Sequence, residues 1–261
     1  MSGAEIHPSA SVSVSAKLAP GVKVGAFAVI GDDVELGAAC VIHSHAVIRG
    51  PSRFGAANVF NPFCVIGGDP QDYTFAGERT ELIAGDKNIF REYVTVSRGT
   101  KKGGGITRIG DENFFLAYSH IGHDCQIGSK NLFVNAATLA GHVTVEDFAT
   151  IGALSPVHQF CRVGRYAYVG ASTVVVQDVP PFSRIVTGRE TKSFGPNSIG
   201  LERKGFSPER IKTLQRAFRL LSRSKLNTSQ ALAKMREEFA DSSDIQELVK
   251  FIETAQRGVV K

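Results

Sequence analysis

Residues 24–48 read VGAFAVIGDDVELGAACVIHSHAVI, and a large aliphatic side chain recurs at every sixth position of this stretch. The same period extends from it in both directions along the chain. Before residue 70 the anchor positions are Ile6, Val12, Leu18, Val24, Ile30, Leu36, Ile42, Ile48, Phe54, Phe60 and Ile66. After residue 108 they are Ile109, Phe115, Ile121, Ile127, Phe133, Leu139, Val145, Ile151, Val157, Val163, Val169 and Val175. So persistent a short period predicts a solenoid of stacked repeats.

Two further positions of each repeat carry structural information. The residue after the anchor is often glycine, which suits a corner where the backbone turns or packs closely. The residue four places after the anchor is mostly small, and it includes all four cysteines, Cys40, Cys64, Cys125 and Cys161. One large and one small inward residue per hexad build one short strand, and three hexads close a triangular coil. We therefore predict a mainly β protein, a parallel β-helix whose cysteines are buried, reduced, structural thiols.

Two insertions and a change of period divide the chain. The segments 69–83 and 97–108 interrupt the hexads, and insertions in a solenoid form loops, often on the functional face. Beyond residue 181 the hexads stop, and three stretches of helical spacing follow, the first starting at Ser207-Pro208 and the last ending at Gly258. The predicted parts are a hexapeptide-repeat β-helix over residues 1–189 and a small C-terminal α-helical domain over residues 190–261.

Composition narrows the class of protein. The chain has 261 residues with a formal net charge of +5, and its basic residues form no long run or nucleic-acid-binding motif. It contains no apolar stretch long enough to span a membrane, and its first residues, MSGAEIHPSA, do not resemble a secretory signal. We expect a cytoplasmic protein with no membrane span and no nucleic-acid partner.

A cluster of histidines is the strongest functional signal in the repeats. Residues 118–128 read YSHIGHDCQIG, and residues eighteen apart should stack on successive coils. His123, His142 and His158 are spaced to occupy one region of the prism, with His120 close by. The fold itself requires no histidine, so three interpretations compete: surface residues at a subunit contact, a metal site, or a general base. The H-x2-H spacing of His120 and His123 differs from the H-x4-H pair of hexapeptide zinc enzymes, which disfavours the metal site.

Several motifs together resemble one family of hexapeptide acyltransferases. They are HIGHDC (120–125), Gln71-Asp72 with Gly77-Glu78, RGT (98–100), ATLAGHV (137–143), VHQFC (157–161), QDVPP (177–181) and GLERKGF (200–206). Across nearly its full length the chain is similar to the UDP-N-acetylglucosamine O-acyltransferases. These enzymes depend on acyl carrier protein and begin lipid A synthesis. The resemblance implies a left-handed β-helix, a homotrimer with active sites between subunits, and no cofactor beyond the acyl-carrier-protein thioester.

The resemblance also implies roles for individual residues. His123 would be the general base that takes the proton from the sugar 3-hydroxyl, and Asp124 would orient its imidazole. The backbone N–H of Gly141 would stabilise the oxyanion. The implied substrate-binding residues are Asp72, His120, His142, His158, Gln159, Asn197 and Arg203. No metal ligand is implied.

Two positions depart from the family pattern. Thr74 stands where the family commonly has lysine, so a diphosphate or carrier contact is missing or replaced. Ala171 stands where the best-known members have glycine, at the position that acts as the acyl-chain ruler. Preferred chain length and the identity of the acceptor group, 3-hydroxyl or 3-amino, stay open at this point.

The sequence therefore predicts an O-acyltransferase that moves a 3-hydroxyacyl chain from acyl carrier protein to UDP-N-acetylglucosamine. One alternative is the related N-acyltransferase acting on a UDP-amino sugar. Members of that family carry an extra N-terminal domain, whereas the hexads here begin at Ile6. A metal-binding or non-catalytic solenoid is the alternative from a different class.

Overall fold

The computed structural model describes residues 3–187, 191–222, 224–256 and 258–260. The hexads form three parallel sheets that wind into a left-handed β-helix, as predicted. Residues eighteen apart pair in register where no insertion intervenes, for example His120 with Thr138 and Ile121 with Leu139. Each coil therefore contributes one short strand to each sheet.

The strands of the three sheets are as follows. The first sheet comprises Glu5–Ile6, Lys23–Val24, Val41–Ile42, Val59–Phe60, Ile89–Phe90, Phe114–Phe115, Leu132–Phe133, Thr150–Ile151, Tyr168–Val169, Ser183–Thr187 and Thr191–Pro196. The second sheet comprises Ser11–Val12, Val29–Ile30, Val47–Ile48, Val65–Gly68, Thr95–Ser97, His120–Ile121, Thr138–Leu139 and Pro156–Val157. The third sheet comprises Lys17–Leu18, Val34–Leu36, Ser52–Phe54, Glu81–Ala84, Ile106–Ile109, Gln126–Ile127, Thr144–Val145 and Arg162–Val163.

The repeat positions have the structural roles that the sequence predicted. Anchors from Val24 onward are buried, whereas Ile6 on the first coil is 47% exposed because no coil covers it there. The four cysteines are buried free thiols, and burial raises the pKa of Cys64 and of Cys125 to about 12. Glycine after an anchor leaves room for the next coil: a Cβ on Gly122 would lie 2.7 Å from the carbonyl carbon of Ala140.

Two ladders run through the coil interior. The rings of Phe60, Phe90, Phe115 and Phe133 stack at centroid separations of 5.2, 4.9 and 4.7 Å. Buried asparagines form the second ladder, in which the side-chain oxygen of one coil accepts the backbone N–H of the next asparagine. Its members are Asn58, Asn88, Asn113 and Asn131. This polar ladder satisfies buried corner amides and was not predicted from the sequence.

The C-terminal part begins with a hairpin and continues with helices. Ser183–Thr187 extends the first sheet in parallel, and Thr191–Pro196 pairs with it antiparallel. The described helices are α1 (Ser198–Arg203), α2 (Pro208–Ser222), α3 (Thr228–Glu238) and α4 (Ser243–Glu253). They share an apolar core with Phe182.

The helix predictions need two corrections, and one boundary stays a prediction. Helix α1 was missed because Asn197 caps it and its six residues are too few to show a period. The last helix ends at Glu253, before Gly258, because the chain leaves the helix to pair Asp178 with Val259. The predicted boundary between residues 189 and 190 lies outside the described residues. None of the described helices has the length and apolarity needed to cross a membrane.

Both insertions leave the β-helix at the corner between the second and third sheets. The first runs from the end of Val65–Gly68 to Glu81, where the next strand starts earlier than predicted. The second contains a 3₁₀ turn, Lys101–Gly103, between strands of the second and third sheets. Buried Arg98 donates to the carbonyl of Gly67 (2.6 Å) and to the carboxylate of Asp69, so the two insertions are bonded to each other.

Candidate active site

The histidine cluster lies at the corner between the second and third sheets. His123 and Asp124 follow the strand His120–Ile121, and Gly141 with His142 takes the same corner one coil later. The backbone N–H of His142 donates to the carbonyl of His123 (2.9 Å). Coil stacking therefore brings together side chains that are nineteen residues apart in sequence.

His123 and Asp124 form a hydrogen-bonded pair. The Nδ1 of His123 lies 2.8 Å from Oδ2 of Asp124, whose side chain is 1% exposed, whereas the imidazole is 14% exposed. An ionised carboxylate only accepts hydrogen bonds, so Nδ1 carries the proton of the neutral ring. The Nε2 atom is then left with a free lone pair, which is the arrangement that a general base requires.

The carboxylate of Asp124 is held from the second insertion. The N–H of Thr100 donates to Oδ1 (2.7 Å), and the hydroxyl of Thr100 donates to Oδ2 (2.6 Å). The N–H of Asp124 itself donates to Oγ1 of buried Thr107 (2.8 Å). Sequence reasoning did not assign either threonine a role, although both lie in the segment 97–108 and Thr100 belongs to the RGT motif.

The other histidines have distinct environments. His120 is bonded through Nδ1 to Oγ1 of Thr95 (2.7 Å), and burial, followed by the nearby imidazole of His123, lowers its pKa. His142 meets the ring of His123 edge-on at 5.1 Å and stacks on Phe160 at 4.5 Å. His158 is exposed, and its Nδ1 lies 3.1 Å from the carbonyl of Gln159.

An open groove of about 480 Å³ lies on the outer face of the second sheet beside these residues. Its polar lining includes His120, His123, His158 and Gln159, and Gln71 reaches it from the first insertion. Its apolar lining comes from successive coils: Leu139, Val157, Val174, Val175 and Val176. A polar end next to an apolar trough fits a ligand with a reactive head and an aliphatic chain.

Gly141 lines the groove against the imidazole of His123. A Cβ at this position would lie 2.5 Å from Cε1 and 2.6 Å from Nε2 of that ring. Only glycine therefore lets the backbone approach the base so closely, and its N–H is on the same corner as the base.

The first insertion places Asp72 and Thr74 near the same corner. Thr74 donates to Oδ1 of Asp72 from its N–H (2.7 Å) and its hydroxyl (2.9 Å), and these bonds lower the pKa of Asp72. Lys102 reaches across from the 3₁₀ turn and donates to Oγ1 of Thr74 (2.9 Å). A cation from the second insertion thus stands beside the position where the family commonly has lysine.

Three predicted site residues lie apart from the groove within one chain. Asn197 caps helix α1 through its side-chain oxygen, which accepts from the N–H of Gly200 (3.2 Å). Arg203 occupies the last turn of the same helix. Ala171 is exposed at the corner between the first and second sheets, across the second sheet from His123. Their predicted roles stay predictions.

One trio of side chains has potential metal-ligand atoms close together. Among the described residues, His123, Asp124 and His142 are the group whose potential ligand atoms all lie within 4.8 Å of one another. Both oxygens of Asp124 already accept hydrogen bonds from Thr100, and one of them also bonds His123. These three bonds use most of the roughly four acceptor sites of the carboxylate, which suits an acid–base pair better than a ligand set.

Comparison with known proteins assigns the family. A Xylella fastidiosa protein named acyl-[acyl-carrier-protein]–UDP-N-acetylglucosamine O-acyltransferase is 49% identical, over 98% of this chain and 97% of its own. The chain belongs to the UDP-N-acetylglucosamine O-acyltransferase family. A namesake from Stenotrophomonas maltophilia (strain K279a) is 47% identical over the same shares. Family models for the second domain of these enzymes and for bacterial transferase hexapeptides match residues 178–260 and 15–50.

Solved structures of this family share the fold. The Francisella novicida UDP-N-acetylglucosamine acyltransferase superposes with a TM-score of 0.94 at 37% identity, covering 98% of this chain and 93% of that one. An Acinetobacter baumannii structure also gives a TM-score of 0.94, at 35% identity and with coverage of 98% and 99%. The similarity therefore spans both the β-helix and the helical C-terminal part.

Proposed function

We propose that this enzyme transfers a 3-hydroxyacyl chain from acyl carrier protein to the 3-hydroxyl of UDP-N-acetylglucosamine, the first step of lipid A biosynthesis. Full-length relatives at 47–49% identity carry the name of this activity. The observation that supports the chemistry is the hydrogen-bonded pair of His123 and buried Asp124 beside a groove with a polar end and an apolar trough.

The proposed reaction begins at Nε2 of His123. This atom takes the proton of the sugar 3-hydroxyl while the hydroxyl oxygen attacks the carbonyl carbon of the thioester. Asp124 stabilises the imidazolium that forms, because its carboxylate is bonded to Nδ1. The N–H of Gly141 donates to the oxyanion. When the intermediate collapses, the C–S bond breaks and the imidazolium returns its proton to the thiolate of the carrier.

The remaining site residues bind the substrates. His120, His158 and Gln159 line the groove, where they contact the sugar and the acyl chain. His142, whose ring meets that of His123 edge-on, contacts the substrate beside the base. Asp72 accepts hydrogen bonds from the nucleotide sugar at the edge of the groove.

A homotrimer completes the site. Asn197 and Arg203 then reach the substrate from a neighbouring copy, with the guanidinium of Arg203 placed for a phosphate. An exposed row of stacked rings runs along the corner between the first and second sheets, at separations of 4.9–5.3 Å, and supports self-association along this edge. We define this aromatic row by its members: Phe27, His45, Phe63, Tyr93 and Tyr118.

The enzyme works in the cytoplasm and uses no cofactor. Its four buried free cysteines suit a reducing compartment. The proposed transfer needs no metal, because His123 supplies the base, Gly141 the oxyanion donor and the carrier thiol the leaving group.

Product analysis tests the proposed function. The purified enzyme is incubated with acyl carrier proteins charged with 3-hydroxyacyl or unsubstituted chains. The acceptors are UDP-N-acetylglucosamine and its 3-amino analogue, and products are identified by mass spectrometry. The proposal predicts an O-acylated product from the 3-hydroxyacyl carrier. Two results would contradict it: acylation of the amino acceptor alone, or no product from the enzyme whether or not EDTA is present.

A further inference from the structure

The carboxylate of Asp124 receives more donors than its pairing with His123 requires. Thr100 supplies two of them, one to each oxygen, and Thr100 is only 2% exposed. The hydroxyl of Thr100 and the Nδ1 of His123 both bond the same oxygen, Oδ2. With both oxygens held, the carboxylate cannot rotate about its Cβ–Cγ bond, so the direction of its bond to His123 is fixed.

We infer that Thr100 is a positioning residue for acyl transfer, acting on His123 through Asp124. The inference rests on the proposed function and extends it to a residue outside the histidine corner. The hydroxyl of Thr100 also accepts from the N–H of Gly103 (3.2 Å) and so caps the 3₁₀ turn. The turn and the carboxylate are therefore held by one side chain.

The 3₁₀ turn also covers the carboxylate. A Cβ on Gly103 would collide with the carboxyl carbon and both oxygens of Asp124, so backbone packs directly on the acid. Such contact keeps water from competing for the two oxygens, and hydrogen bonds to a charge are strongest where water is excluded. The segment 97–108 thus forms part of the catalytic apparatus, and it lies in contact with Asp124 rather than as a separate surface loop.

The test compares Thr100→Val with Thr100→Ser. Valine keeps the shape and the backbone N–H but removes the hydroxyl, whereas serine retains it. The free energy of a hydrogen bond to a charged group is large enough that its loss predicts a roughly ten- to hundred-fold decrease of kcat in Thr100→Val. KM for both substrates should change less than about threefold, because Thr100 is not expected to touch either substrate, and Thr100→Ser should recover most of kcat. Thr144→Val, on the third sheet away from the groove, is the matched control.

A double-mutant cycle separates positioning from general stability. In an Asp124→Asn background, Thr100→Val should cost little further kcat, since the carboxylate that it positions is gone. Melting temperatures of all variants monitor the fold. An equal loss of kcat in both backgrounds, or wild-type kcat in Thr100→Val, would overturn the inference while leaving the proposed function intact. A wild-type enzyme without transferase activity would overturn both.

Discussion

Replacing Gly141 by alanine should displace the catalytic base without unfolding the coil. The backbone of Gly141 lies outside the left-handed region, so alanine is free of backbone strain there. Its methyl group, however, would lie 2.5 Å from Cε1 and 2.6 Å from Nε2 of His123. Carbon atoms pack comfortably at about 3.5–4.0 Å, so the ring must retreat by about 1 Å.

A displacement of this size has a predictable cost. Misplacing a reacting group by about 1 Å lowers the rate about 10²-fold, which corresponds to about 2.7 kcal/mol of transition-state stabilisation. The loss should appear in kcat, measured by steady-state transfer from acyl carrier protein to UDP-N-acetylglucosamine. KM for the nucleotide sugar should move much less. The melting temperature should stay within a few degrees, because the imidazole is partly exposed and can yield.

Gly128→Ala is the matched control. Gly128 lies at a corner away from the histidine cluster, and a Cβ there would collide with the carboxylate of Asp147. This variant should lose stability but keep kcat. If Gly141→Ala retains kcat within about threefold of wild type, the approach of Gly141 to His123 does not matter for catalysis and the reasoning is refuted.

Three further predictions concern the groove and its edge. Because burial lowers the pKa of His120 below its ordinary 6.5, the unfolded chain binds more protons below that pH. The melting temperature should therefore fall on acidification, and less steeply in His120→Gln. Lys102→Ala should raise KM for UDP-N-acetylglucosamine roughly tenfold with kcat nearly unchanged, because it removes the cation bonded to Thr74 beside Asp72. Adding Thr74→Lys to this variant should restore the wild-type KM. If Ala171 is the chain ruler, Ala171→Gly should gain activity on longer acyl chains and Ala171→Met should shift the optimum to shorter ones, because overpacking costs about 1–3 kcal/mol.

Each of these predictions has a result that contradicts it. If the melting temperature depends on pH in the same way in wild type and in His120→Gln, the protonation of His120 is not linked to folding. An effect of Lys102→Ala no larger than that of Lys17→Ala, which removes an exposed ion pair with Glu35, would reduce Lys102 to ordinary surface charge. Identical chain-length profiles for all three enzymes would exclude Ala171 as the ruler.

The fold was predictable because one short period repeats over most of the chain. Each hexad places one large residue inward, so a sequence pattern determines a whole coil. The buried asparagine ladder escaped notice because its spacings are 30, 25 and 18 residues, which the two insertions make unequal. Helix α1 was not predicted for a different reason: its beginning depends on the side-chain cap of Asn197.

The candidate site was predictable only in part. Stacking of eighteen-residue coils was enough to bring His123 close to His142, and the structure places the rings 5.1 Å apart. The bonds from Thr100 depend on how an insertion folds back, and an insertion has no period from which to derive its path. The same holds for Lys102, which bonds Thr74, 28 residues earlier, and so joins the two insertions.

The most direct test of the central claim is the turnover of His123→Ala with and without added imidazole. The base as proposed contributes about 10²–10⁴-fold, so kcat should fall by that factor while oligomeric state and melting temperature stay close to wild type. Free imidazole should then restore part of the lost rate. A variant that folds normally and transfers the acyl chain at nearly the wild-type rate would show that His123 is not the base.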